Sequence, residues 1–391
     1  MLVKTNNITN QKQSGRCWMF STLNVLRQRV IAKCDLEDFS FSPTYLAFYD
    51  KLEKANLFLE NILHFADQDL TDRETYTLLG NPLPDGGQWD MFANIVRKYG
   101  VVPKDVYDET YQSSNTRSMN AQLNRALKVA AAGLRRMAAD KADADAIQAE
   151  KNKTLNAIYG FLCSCYGEPP KAFDFEFVDK DQVYHIEKNL TPLTFAERYV
   201  GDLLDQVVSV INAPTADKPY HKTYTIRLLG NVVEGRPVVH LNLTMDELKA
   251  AIIAQLKAGK VVWFGSDVGH FGERTLGVWD DRSFDFAALT GLSLAMDKAD
   301  ALDYGLAAMN HAMVLTGVNL DEAGKPTRWK IENSWGDKNG EKGYYVCSDS
   351  WFDQYVFQAA VEREYLGSLA DLAAQEPIVL EPWDPMGTLA D

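Results

Sequence analysis

After Gly259 the texture of this chain changes, and that change constrains its fold more than any other feature. "KVVWFGSDV", "HAMVLTGVNL", "RWKIENSW" and "GYYVCSD" are short runs of β-branched and aromatic residues divided by Gly and Asn, so they predict strands. The chain before Gly259 reads as mainly helical. Residues 17–33 place Cys17, Phe20, Leu23, Asn24, Leu26 and Val30 at helical intervals, with Gly15 permitting a tight turn just upstream. "FSPTYLAFYDKLEKANLFLENILHFA" offers Ser42 as N-cap and Pro43 at the first helical position. "LTMDELKAAIIAQLKAG" carries the capping pair Thr244-x-x-Glu247 and stops at Gly259. Arg117 to Ala157, rich in Ala, Lys, Asp and Asn, predicts one long exposed helix or a helical pair packed outside the core. "NPLPDGGQW" (81–89) predicts a surface loop before another helix. Two unlike halves imply an α+β protein with a cleft between them. We divide the chain into a helical domain (1–116), a mainly helical insertion (117–240), a β-rich domain (241–375) and a C-terminal arm (376–391).

Composition narrows the functional classes. A net charge of −14 argues against a nucleic-acid partner, which needs clustered cations to release counterions. The basic run "RQRVIAK" (27–33) reads as a solvated helix face. No apolar stretch is long enough to span a membrane, and the polar "MLVKTNNITNQKQ" does not read as a secretory signal. Five cysteines are an odd, sparse set, which argues against a disulfide framework and sets the expectation of a reducing, cytoplasmic setting. "CSC" at 163–165 lacks the second pair that structural zinc requires, so we expect two buried or half-buried thiols and no metal.

The chemistry centres on "NQKQSGRCWMFST", residues 10–22. A thiol at the start of a helix meets unpaired N–H groups and the positive end of the dipole, both of which favour the thiolate. Cys17 sits where such a helix starts, and Gln11 lies on the preceding loop, where its amide is able to return toward the same place as an oxyanion donor beside the Cys17 N–H. A thiol nucleophile needs a base distant in sequence and near in space. His311, at the head of an apolar run, has the best setting; His270, on a Gly-flanked loop, is its competitor, and His64, His185, His221 and His240 have ordinary neighbours. Asn333 in "ENSWG" is the candidate to orient the imidazole, with Trp335 placed to shield that bond; the plain alternative makes "NSWG" a turn and Trp335 core.

"NQKQSGRCWMFSTLN", "DGGQWDM", "NHAMVLTGV" and "ENSWG", in that order, resemble the papain-like cysteine peptidases. "KYGVVPKDVYDET" and the terminal "EPWDPMGTLAD" make the bleomycin hydrolase and aminopeptidase C branch the closer resemblance, spanning Asn10 to the C-terminus. The resemblance implies the papain-like fold, with a helical and a β-rich domain facing across a cleft. It implies Cys17 as nucleophile, His311 as general base and acid, Asn333 as orienter and Gln11 as oxyanion donor. Gly86 and Gly87 match the glycine pair whose backbone binds extended substrate. It also implies peptide substrates, no cofactor and a homohexamer with inward-facing sites. The last residue, here Asp391, would place its carboxylate in the cleft to pair with the substrate's free amine, giving an aminopeptidase.

Two departures stand out. The resemblance leads us to expect a longer segment before the Gln–Cys motif, and a tail ending near "LA", one residue before Asp391. An endopeptidase or oligopeptidase on the same fold is the alternative if the arm stays out of the cleft. A non-cleaving binding protein and an acyl-transferring enzyme are the other rivals.

Overall fold

The computed structural model describes residues 1–5 and 7–390. Its helical side is built from α1 (Cys17–Cys34), α2 (Pro43–His64), α3 (Trp89–Tyr99), α4 (Arg117–Ala139) and α5 (Ala144–Tyr166). Ser42 caps α2 through Tyr45 N–H with Pro43 in the first turn, as its sequence predicts. The 117–157 stretch is the expected helical pair, α4 and α5. It is not confined to the exterior: Met119, Leu123, Leu127 and Leu134 make a buried stripe continuous with the core on α2. The helix carrying "CSC" half-buries Cys163 and buries Cys165.

The strands are β1 (Phe173–Val178), β2 (Tyr184–Leu190), β3 (Val207–Ile211), β4 (Thr223–Ile226), β5 (His240–Asn242), β6 (Val262–Ser266), β7 (Gly272–Glu273), β8 (Val278–Trp279), β9 (His311–Leu320), β10 (Pro326–Glu332), β11 (Tyr344–Ser348), β12 (Val356–Glu362) and β13 (Ile378–Leu380). β1 and β2 form a separate hairpin, and among the described residues the rest join one sheet in the order β13-β4-β5-β3-β12-β6-β9-β10-β11-β8-β7. The four runs read as strands after Gly259 are β6, β9, β10 and β11. The segment 117–240 is less helical than its composition suggests, because it contributes β3 and β4 to the sheet as well as the hairpin. Those strands are short, and their neighbours in sequence are polar, so no period-two run stands out.

β9 runs through the middle of the sheet with its first eight residues buried, and α1 packs across β9 and β6. The other face is covered by α6 (Met245–Lys257), whose Thr244–Glu247 capping box is formed as expected. The N-terminal segment follows the β-rich side, bonding Val3 N to Thr316 O at 2.7 Å and Gln11 N to Ser334 O at 2.9 Å. It then enters α1, so Gln11 reaches the β-rich side while Cys17 starts a helix on the other.

The basic run 27–33 holds a buried charge rather than a wholly solvated face. Arg27 reaches across the seam to Glu332 of β10 at 2.7 Å, with both side chains almost inaccessible, and also donates to Asn7 O at 2.8 Å. Burial pushes the Glu332 carboxyl up from its usual range, while the guanidinium opposes that shift. Removing one member of such a pair strands the other charge. Arg27→Met is therefore expected to cost about 3–5 kcal/mol in urea unfolding, with Glu332→Gln on that background recovering part of it. Equal stability of Arg27→Met and the parent chain would show that the seam does not depend on this pair.

Candidate active site

Cys17 opens α1, and its thiol is buried. Arg16 at the N-cap supplies no side-chain acceptor, so the Cys17 and Trp18 amides stay available, while Met19 N bonds Arg16 O. The sulfur lies within hydrogen-bonding reach of the Ala312, Trp18 and Cys17 amides. Burial nevertheless dominates and pushes the thiol up to about 11. Ala312 directly follows His311, so the head of β9 faces the start of α1.

His311 is buried and its Nε2 pairs with Asn333 Oδ1 at 2.9 Å. Asn333 sits just past the end of β10, the strand paired with β9, and the register makes it a diagonal neighbour of His311. Trp335 stacks on the imidazole at 4.6 Å between ring centroids and 25° between planes, so it is both site wall and core. Desolvation lowers the His311 imidazole to about 4, against the opposing Asn333 bond. Burial thus works against charge on both the thiol and the imidazole. The competitor His270 is held elsewhere, stacked on Tyr355 with Nε2 3.4 Å from Asp267.

Gln11 is placed on the same side by two bonds. Its Oε1 accepts from Ser334 Oγ and its Nε2 donates to Ser14 O, both at 2.7 Å. An amide nitrogen carries two N–H groups, so one remains for another acceptor.

The glycine loop is not the surface loop its composition suggests: Gly86, Gly87 and Gln88 are buried. Two features account for this. The C-terminal arm lies over it, with Gly87 N donating to Leu389 O at 3.0 Å and Gln88 Nε2 to Met386 O at 3.2 Å. From the other side, Asp85 accepts from Gly15 N (3.0 Å), Asn120 (2.8 Å), Lys51 (2.6 Å) and Thr116, while its carbonyl takes the Trp18 indole N–H at 2.8 Å. The Lys51 ammonium and these donors outweigh burial and hold the Asp85 carboxyl far below its usual range. Lys54 adds a bond to Gly86 O at 2.6 Å and a pair with Asp50 at 2.9 Å.

Both glycines are sterically required, for different neighbours. A β-carbon on Gly86 would come within 2.3 Å of Leu389 O, and one on Gly87 within 2.5 Å of the Trp18 indole. The arm itself is pinned by β13 pairing with β4, by Lys218–Asp384 at 2.8 Å, and by Arg73 over Trp383 at 3.6 Å. A cavity of about 140 Å³ remains beside it, lined by Lys54, Met91, Ile226, Gly387 and Ala390 among others. Asp391, assigned to the cleft by its sequence position, lies outside the described residues. Among the described residues no cluster of His, Cys, Asp or Glu could hold a metal ion, and no helix is long and apolar enough to cross a membrane.

The structure therefore brings Cys17, His311, Asn333, Gln11 and Trp335 together, with Gly86 and Gly87 facing the arm beside them. Asp85, Lys51, Lys54 and Ser334 support that arrangement and were not singled out from the sequence. The Asp50–Lys54 spacing and the acidic residue next to the glycine pair were the available signals, but both are ordinary on a helix and in a turn.

The sequence profile of the Peptidase C1-like family matches residues 1–387. Aminopeptidase C of Streptococcus thermophilus is 51% identical over 387 residues, covering 98% of this chain and 87% of that protein. Aminopeptidase C of Listeria monocytogenes serovar 1/2a is 47% identical, covering 99% and 87%. The crystal structure of pepw from Lactobacillus rhamnosis HN001 superposes with a TM-score of 0.96 at 50% identity, covering 99% of this chain and 87% of that one. The α+β fold is thus the papain-like one expected from the sequence, and the chain belongs to the Peptidase C1-like family.

Proposed function

We propose that this protein is a cysteine aminopeptidase of the bleomycin hydrolase type, releasing N-terminal residues from peptides through a thioester. Cys17 is the nucleophile and His311 its base. With Nε2 committed to Asn333 Oδ1, the imidazole has Nδ1 left for the thiol. Proton transfer from Cys17 to His311 converts two buried neutral groups into adjacent opposite charges, and the α1 N-terminus favours the thiolate. The thiolate attacks the scissile carbonyl. The resulting oxyanion rests on the Cys17 N–H and the spare Gln11 amide N–H. His311 then protonates the leaving amine, and water activated by the same imidazole hydrolyses the thioester. No step needs a metal or organic cofactor.

The observation that carries the aminopeptidase reading is the Gly87–Leu389 bond. It occupies backbone that an extended substrate would use on the N-terminal side of the scissile bond. A peptide chain running past the cleaved residue has to displace the arm, whereas one that starts there does not. The carboxylate of Asp391, next to the buried Ala390, is the proposed partner for the free amine. The names of the aminopeptidase C relatives support the same reading. An endopeptidase would require the Gly87 N–H to be free for substrate, and Leu389 O occupies it.

The family resemblance also supports a cytoplasmic homohexamer. Five free cysteines fit a reducing setting. Exposed Leu289, Leu292 and Tyr304, on one excursion of the β-rich side, fit burial by another copy.

Two measurements test this reading. An unblocked peptide followed by mass spectrometry is expected to lose residues one at a time from its N-terminus, and Cys17→Ala is expected to abolish turnover while leaving the circular dichroism spectrum unchanged; internal fragments, or activity in Cys17→Ala, would contradict it. Sedimentation is expected to give about six times the protomer mass, and a monomer would refute the assembly.

A further inference from the structure

Arg274 sits at the tip of the β7–β8 hairpin, over the ring of Trp335. Its guanidinium carbon is 4.9 Å from the centre of the Trp335 ring, and that ring stacks on His311 at 4.6 Å. The side chain is exposed, and its positive charge is close enough to disfavour protonation of His311. The hairpin is held firmly: Gly340 N bonds Thr275 O at 2.9 Å, Val346 N bonds Gly277 O at 2.9 Å, and the Tyr345 hydroxyl donates to Arg274 O at 3.2 Å.

An arginine on an aromatic wall usually has a carboxylate to complete its donors. Arg274 forms no ion pair among the described residues. The nearby anions are committed elsewhere: Glu273 accepts from Leu276 N, Asp280 pairs with Arg282, and Asp267 accepts from Asn310, Gly269 and Ala308 and faces His270. The guanidinium is therefore a cation without an anionic partner among the described residues, one ring away from the imidazole that hands a proton to the leaving amine.

We infer that Arg274 binds the free α-carboxylate of short peptides, making dipeptides and tripeptides the favoured substrates. This rests on the aminopeptidase reading above. The arm occupies the acyl side of Cys17, so the leaving group lies toward His311 and Trp335. In a dipeptide the carboxylate carbon is about 2.5 Å from the leaving nitrogen, and each further residue adds about 3.3–3.6 Å. One or two residues thus bring a carboxylate to a cation one ring away from the imidazole, and longer peptides carry theirs past it.

The test compares kcat/KM for a dipeptide and its C-terminal amide, measured by release of the N-terminal residue. The parent enzyme is expected to favour the acid about tenfold, mainly through KM, with the preference shrinking as salt rises. Arg274→Gln is expected to bring the ratio near one, and Arg274→Lys to retain part of it. The ratio is read within each enzyme, so a general loss from disturbing Trp335 cancels. A parent ratio near one, or a ratio unchanged in Arg274→Gln, would overturn the inference and leave the aminopeptidase reading intact. Failure of the parent enzyme to cleave either compound would overturn both.

Discussion

The site depends first on a half-buried carboxylate. Asp85 ties the turn before α1, the start of α4 and the ammonium of Lys51 to one point, and its own carbonyl holds the Trp18 indole. Because Trp18 directly follows Cys17, the same residue fixes both the helix that carries the thiol and the loop that carries Gly86 and Gly87. A largely buried carboxylate is costly unless its lone pairs are filled, and here they are. The result is a rigid backbone edge with Gly87 N pointing into the cleft, where the arm meets it.

The other half of the site is set by sheet register. β9 and β10 pair antiparallel with Glu332 opposite Val314, so Asn333 lies diagonally across from His311 and within reach of its imidazole. The Arg27–Glu332 pair then locks the end of β10 to α1 across the seam. Cys17 and His311 come from separate layers, and their alignment relies on that seam as much as on either layer. Burial disfavours charge on both groups, pushing the thiol up and the imidazole down.

Much of this was legible in the sequence, for identifiable reasons. The capping of α2 and α6, the strands after Gly259, the cysteine at a helix start and the histidine at a strand head are all local signals. So was the Trp335 shield, because an indole two residues beyond an Asn at a strand end has little choice of neighbour. What could not be read depends on contacts between distant segments. The glycine loop looked like surface because its burial comes from the arm some three hundred residues away. Arg27 looked solvated because its partner lies on β10. The stripe on α4 looked external because its alanines and arginines mask the leucines that face α2. β3 and β4 were missed because they are short runs set among polar and Pro-bearing segments.

The central claim is that the C-terminal arm fills the acyl side of the cleft and makes a free substrate amine part of recognition. The most direct measurement compares hydrolysis of one fluorogenic aminoacyl amide with that of its N-acetylated twin, under reducing conditions. A charge-assisted bond in a partly desolvated cleft contributes about 1.5–3 kcal/mol, so the free amine is predicted to be favoured by about one to two orders of magnitude. Equal rates, or preference for the acetylated compound, would mean that the arm does not govern the cleft and that the protein cleaves internally.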